Sequence, residues 1–267
     1  MDNCWIIGFT RNDGMNKDDL LRALNGDKDL AFADLSEAHL ARVDLSGANL
    51  NAANLEKAYL VGANLSGAWL TEANLQSAKL KHADLTHAKL GRANLYLANL
   101  ESADLSSADL VEANLRRVSL RDATLISTDL TEADLGVSFC PGATFNNSLL
   151  NKADLTSAYL RADLSGANIR NADLSFADLF DADIQGTNFD GSTFDHTRGV
   201  ISIGVGIHTV VASLSEEWVN IGCESHSLAD WLNAYTGIGQ RNSYSEEQIE
   251  VHLFALEFIE RAIKRYN

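Results

Sequence analysis

Proline is nearly absent: the chain of 267 residues has one, Pro141. It therefore keeps almost all of its backbone N–H donors, as an extended hydrogen-bonded body requires. Cysteine is scarce too. Cys4, Cys140 and Cys223 are odd in number and far apart, which argues against a disulfide framework and for reduced thiols. No apolar run approaches the ~18 residues of a membrane span; the longest lies in GVISIGVGI, Gly199 to Ile207. The opening MDNCWIIGF has an acid at Asp2 and no basic stretch, so it does not read as a secretory signal, and a cytoplasmic location is expected. Basic residues are outnumbered, 21 Lys and Arg against 37 Asp and Glu, for a formal charge of −16. That field repels phosphate backbones, so direct nucleic-acid binding is not expected, whereas a basic protein surface would be attracted.

What the chain has in abundance is a rhythm. Leucine recurs at every fifth residue from Leu30 to Leu160, with Cys140 and Phe145 standing in. After one missing residue it resumes as Leu164, Ile169, Leu174, Leu179, Ile184, Phe189 and Phe194, giving 34 units in all. Two places before each of these residues stands Ala, or less often Ser, Thr or Val. The two places after it vary freely. A helix cannot use such a period, because leucines five apart walk around every face, and on a flat strand an odd spacing alternates sides. A coil that bends within each unit sends every leucine and alanine to a common axis. Successive coils then have to stack as a solenoid, since one coil buries too little to offset its ordering entropy.

The tandem A(D/N)Lxx pattern over residues 28 to 198 resembles the pentapeptide-repeat family. The resemblance implies an all-β solenoid, a right-handed quadrilateral β-helix with four units per coil and about eight and a half coils. At ~4.8 Å per strand spacing this is a rod roughly 40 Å long.

Both ends of such a rod need covers, because an open end exposes unpaired backbone and leucines. In residues 1 to 27, NKDDLLRALNGDKDL from Asn16 onward predicts a short capping helix, with Asn16 as cap, Asp18 and Asp19 in the first turn, and a Leu20, Leu21 and Leu24 stripe. MDNCWIIGF is a candidate extra strand. Residues 199 to 267 form an α+β unit: β-branched runs at Val200 to Ile203, Ile207 to Val211 and Trp218 to Ile221 predict a small sheet, and Ser227 to Tyr235 and Ser245 to Asn267 predict helices. The second helix has Ile249, Leu253, Leu256, Ile259 and Ile263 on one face. The segment VNIGCESHSLADWL is similar to tails that follow pentapeptide repeats in some phage and prophage proteins.

Motifs for catalysis are missing. GIGQR and GVGIH lack the third glycine of a dinucleotide loop, and neither GxxxxGK[ST] nor GxSxG occurs. Cys223 and His226 have a ligand-like spacing, with His208 as a third candidate, but a zinc site needs about four donors. The expectation is no enzyme, no cofactor and no metal.

If one unit makes one side, the residues just before each leucine form columns every twenty residues. Two columns are generic Asp, Asn and Thr. The other two are irregular, one containing Trp69 and Lys89, the other His39, Tyr59, Lys79, Phe139 and Tyr159. Aromatic side chains standing out of a polar wall are candidate contacts, because they offer area at little entropic cost. Charge is uneven along the rod: six acids and no base occupy Asp173 to Asp195, whereas Lys79 to Arg121 is slightly basic. The candidate partner-binding residues are Tyr59, Trp69, Phe139, Tyr159, Asp173, Asp178 and Asp183. Similarity to pentapeptide-repeat proteins that protect or inhibit DNA gyrase implies a protein-binding scaffold, an acidic DNA mimic acting on a DNA-binding enzyme such as gyrase. The alternative is an assembly module, phage-encoded or bacterial, that engages a partner or forms a homodimer through its C-terminal unit with the rod as spacer.

Overall fold

A computed structural model describes residues 16–205, 208–213, 218–221, 224–233 and 245–266. The expected strand in MDNCWIIGF lies outside the described residues. Helix α1 (Lys17–Leu24) begins at Asn16, whose side chain accepts the Asp18 N–H at 3.0 Å, and its first turn carries Asp18 and Asp19. It buries Leu20 and Ala23 against the first coil, with Leu24 packed beside them. Leu21, expected in the apolar stripe, points outward; residues 20, 23 and 24 share a helical face and residue 21 lies about 100° off it. The helix also completes the first coil's hydrogen bonding. In later coils the N–H before each leucine donates to the coil below, as Asn54 does to the Ala33 carbonyl at 2.9 Å. The equivalent Asp34 N–H has no coil below it and donates to Asp19 Oδ2 at 3.0 Å.

From Asp29 to Arg198 the chain is a four-sided stack of parallel bridges, each residue before a leucine pairing with its equivalent one coil on. Every leucine-slot residue from Leu30 to Phe189 is buried, and so are the alanines two places earlier. One unit shows the rule. Leu50 donates to the Trp69 carbonyl at 2.7 Å, Ala52 to the Thr71 carbonyl at 2.9 Å, and Ala53 closes the turn onto the Leu50 carbonyl at 3.0 Å, while Trp69 donates back to Ala48 at 2.9 Å. Only the N–H directly after the leucine is left over. The preceding Asp or Asn takes it: Asp44 Oδ1 accepts from Ser46, Asn74 from Gln76 and Asp134 from Gly136, at 2.9, 3.2 and 2.8 Å. This is the physical reason for Asp or Asn in the repeat, an Asx turn at the corners that carry one, and it explains the one tolerated proline. Pro141 occupies the leftover position in the unit where Phe139, which has no acceptor, replaces Asp or Asn.

Two places after each leucine the backbone turns left-handed, with 26 non-glycine residues at φ between 54° and 61°. Together with the closing turn bond this is a type II turn. The position therefore does not vary freely in energy, only in side chain. Where the residue is missing, between Leu160 and Leu164, Ala162 closes a tighter turn onto the Leu160 carbonyl at 2.8 Å and the pairing continues as Thr144 with Asp163.

Beyond the rod lies an antiparallel meander of β1 (Val200–Val205), β2 (His208–Ser213), β3 (Trp218–Ile221) and β4 (Glu224–Ser227), followed by a helical stretch α2 over 228–233 and helix α3 (Glu246–Tyr266). Strand β4, ESHS, was not expected, because it has no β-branched or aromatic residue to announce it. The sheet alternates as a two-sided layer should. Val211 joins the rod's core cluster, while Val210, Ala212, Val219 and Ile221 pack with Trp231, Ile249, Leu256, Ile259 and Ile263. Asn220, buried on the rod side, donates to the Ile184 carbonyl at 2.8 Å and accepts the Gly186 N–H at 3.2 Å. Asp190 Oδ1 takes the Thr209 N–H at 3.1 Å. The sheet is thus bonded to the last coil and closes it.

Candidate interaction surfaces of the rod

The interior of the rod offers no room for chemistry. Its axis is filled by leucine, alanine and their substitutes, and burial pushes the Cys140 thiol up to about 12, far from a reactive thiolate. Among the described residues no group of three or more His, Cys, Asp or Glu is placed to hold a metal ion. His226 lies edge-on to Trp231 at 4.8 Å, and Cys223 lies outside the described residues. No helix among the described residues is long and apolar enough to cross a membrane.

Each face can be identified by one column of bridges. The Asn74 face is a ladder in which Asn54, Asn74, Asn94 and Asn114 each donate through Nδ2 to Oδ1 of the residue one coil before, at 3.0 to 3.2 Å. The Asp84 face, with the corner that follows it, carries Asp44, Asp84, Asp104, Asp163 and Asp183 among Ser, Thr, Gly and amide residues, together with His87 and the exposed Ile126; Lys28 reaches it from the neighbouring unit, its Nζ 3.8 Å from Asp44 Oδ1. The Trp69 face is mixed, with Arg92 paired to Glu112 at 2.9 Å and Lys152 to Glu132 at 2.7 Å. The Tyr59 face is the exception in sign: Arg42, Lys79, Lys81, Arg121, Arg161 and Arg198 outnumber Glu101, Asp122, Asp178 and Asp181. Charge is therefore partitioned around the axis as well as along it.

The predicted contact residues do not converge. Tyr59, Phe139 and Tyr159 share one face with Asp178; Trp69 stands on the opposite one, 57% exposed; Asp173 and Asp183 lie on the two remaining faces. Tyr59 sits between His39 at 5.7 Å and the Lys79 ammonium at 5.6 Å. Higher on the same face Phe139 and Tyr159 stack at 5.2 Å, with the Arg121 guanidinium 5.0 Å over Phe139 and that of Arg161 5.1 Å over Tyr159. Asp178 is no free acid. It is 8% exposed, faces Arg161 at 3.6 Å and Arg198 at 3.8 Å, and accepts the Phe180 N–H.

Three carboxylates at the Asx position, those of Asp44, Asp173 and Asp163, are held below their usual range. The Ser46 hydroxyl and N–H do this for Asp44, and those of Ser175 for Asp173; at Asp163 burial pushes upward but is outweighed by bonds from the Ser165 N–H and the Asn146 amide. A depressed folded value means stability that is fully present above the unfolded carboxylate range and lost as pH falls through the folded one. Melting temperature should therefore drop as pH is lowered below about 4, and a rise across that window in thermal melts would contradict the Asx assignment.

A sequence-level signal was missed at the corner between the Asn74 and Tyr59 faces. There the left-handed position is held by Leu97, Val137 and Phe176, which are 47%, 42% and 60% exposed. Among the described residues only one other apolar side chain larger than alanine, Phe32, occupies such a position. A β-branched residue at φ 58° is the most costly of these. Val137→Asn should raise stability by about 1 kcal/mol, read as a denaturation midpoint, because Asn tolerates this backbone and the Val137 N–H bond to Thr156 is kept.

The described chain is a four-sided parallel β-solenoid with a solid interior, closed by a helix at one end and a sheet at the other. The family model described as pentapeptide repeats matches it in eight copies, over residues 29–67, 58–95, 98–136 and 160–195. The chain belongs to the pentapeptide-repeat family, and its rod is the right-handed β-helix of that family. Similar solved structures include HetL, a pentapeptide repeat protein involved in heterocyst differentiation regulation from Nostoc sp. strain PCC 7120, at 35% identity over 64% of this chain and 80% of that one, TM-score 0.35. A pentapeptide repeat protein of the Arabidopsis thaliana thylakoid lumen matches at 27% identity over 43% and 66%, TM-score 0.32. QnrB1, a plasmid-mediated fluoroquinolone resistance protein, matches at 14% identity over 54% and 86%, TM-score 0.29. The comparison with curated proteins gives no match.

Proposed function

We propose that the protein is a non-enzymatic protein-binding scaffold of the cytoplasm, and that its acidic side engages a DNA-binding enzyme such as DNA gyrase in place of DNA. The observation that carries the reading is the Asp84 face, where five carboxylates stand mostly among small hydroxyl and amide residues and, among the described residues, only Asp44 has a cationic partner, Lys28 at 3.8 Å. A basic groove built for phosphates would meet there a predominantly negative wall. The rod from Asp29 to Arg198 has 23 acids and 13 bases, about one net charge per 4 Å of axis at ~4.8 Å per coil, against one per ~1.7 Å for duplex DNA. Electrophoretic competition between DNA and the protein for gyrase tests the reading. Displacement of DNA that weakens in D44N/D84N/D104N is expected, and no displacement at any concentration would refute it.

A second reading places contacts on the C-terminal unit. It is favoured by a groove between α2 and α3 lined by Leu228, Leu232 and Ile263 with Glu260 and Lys264 at its edge. Homodimerisation through this groove predicts a concentration-dependent mass that L232E reduces to that of one chain; sedimentation showing one chain throughout would remove it.

A further inference from the structure

We propose that the corner between the Asn74 and Tyr59 faces, over the coils from Leu97 to Phe176, is a docking site for a partner protein segment that combines apolar side chains with carboxylates. It lies on a different surface from the acidic wall and takes a different kind of partner.

Backbone and side chain are at odds along this corner. At the left-handed corner position glycine, Asn or a small polar residue is the undemanding choice, and most corners here have a polar residue or glycine. Leu97, Val137 and Phe176 depart from it on one corner, with φ of 60°, 58° and 61°. They do nothing for the core, since each is more than two-fifths exposed. Strained backbone and exposed apolar surface coincide, and unfavourable features concentrated in one place are the mark of a contact region. The three residues rise along the rod over four coil steps, about 19 Å at ~4.8 Å each.

The neighbouring column supplies the rest. Phe139, 38% exposed, stands two residues from Val137. It carries the Arg121 guanidinium over its ring at 5.0 Å. Neither Arg121 nor Arg117, which occupies the ridge position between Leu97 and Val137, has a carboxylate within salt-bridge distance among the described residues, although their neighbours Arg116, Lys81 and Arg161 are paired. A guanidinium laid flat on a ring keeps its N–H edge outward and is well placed to take a carboxylate in bidentate fashion. Apolar ridge, aromatic wall and unpaired arginines, in a chain of charge −16, select a partner segment with both apolar and acidic residues.

The test uses the full chain and a phage-displayed library of short random peptides. Enriched peptides should combine Leu, Ile or Phe with Asp or Glu. Their affinity should fall on the order of tenfold or more in L97N/V137N/F176N and in R117E/R121E, and stay unchanged in D44N/D84N/D104N. Because Asn suits the left-handed corner, the first variant should melt no lower than the parent chain, so that loss of binding is not loss of fold. Failure to enrich any peptide that discriminates the parent from L97N/V137N/F176N overturns the proposal, as does enrichment of basic peptides. A dimer of the parent chain that this variant dissociates in sedimentation would name a second copy as the occupant and overturn it too. Failure of the gyrase competition leaves this outcome unaffected, since the two tests read opposite surfaces.

Discussion

Phe145→Ala is expected to destabilise the rod by about 3–5 kcal/mol. Phe145 takes a leucine slot and is wholly buried. Truncation removes most of an aromatic side chain and leaves a void that neighbouring coils cannot close, because their positions are fixed by bonds such as Leu125 to the Thr144 carbonyl at 2.7 Å and Phe145 to the Asp163 carbonyl at 2.6 Å. In a solenoid the loss is felt first by the adjacent coils, so hydrogen exchange should quicken around residues 125 to 164 before the ends respond. Phe145→Leu restores the commonest residue of the slot and should cost less than about 1.5 kcal/mol. Equal losses in the two variants, measured by denaturant unfolding, would mean that the site is not packed as described.

Gly199→Ala is the second large effect, at about 2–4 kcal/mol, and it should act on the cap rather than the rod. Gly199 has φ +86°, and a Cβ there would lie 2.3 Å from the Phe180 nitrogen and 2.5 Å from the Leu179 carbonyl carbon. Both contacts are with backbone inside the last coil, so neither can give way by a rotamer change. The first strand would have to lift, taking with it the sheet that lays Val211 and Asn220 on the end of the rod. Faster proteolysis after residue 199, together with concentration-dependent end-to-end association, is the expected outcome. An unchanged digestion pattern would contradict the close approach.

The interior of this fold was legible in the sequence because one residue type repeats at one spacing. Leucine every fifth place and alanine two before it determine which atoms face the axis, and multiples of twenty place Tyr59 above His39 and Trp69 above Asn49, as the bridges do. Other features leave no such trace. The left-handed corner is invisible in composition, since 26 non-glycine residues accept it; stacking of coils overrides local preference there. Strand β4 is held by pairing of Glu224 to Ser227 with β3 rather than by its own propensity. Asn220 reads as an ordinary polar residue in a strand, yet it joins the sheet to the last coil.

The candidate surfaces were legible only in part. Tyr59, Phe139 and Tyr159 fall on one column by arithmetic, but Leu97, Val137 and Phe176 belong to corner positions that the column rule does not follow. Asp178 and Asp183 look equivalent as letters; Arg161 and Arg198 screen the first, while Asp183 accepts the Gln185 N–H on the predominantly acidic face. Runs of acids along a sequence are thus a poor guide to where negative charge meets solvent on a coil.

The central claim is that this rod carries contact residues at some cost to its own stability. Thermal unfolding of V137N beside the parent chain tests it most directly. A rise of about 2–4 °C is predicted, the equivalent of about 1 kcal/mol for a domain of this size; a fall in melting temperature would show that Val137 serves the fold and would contradict the account.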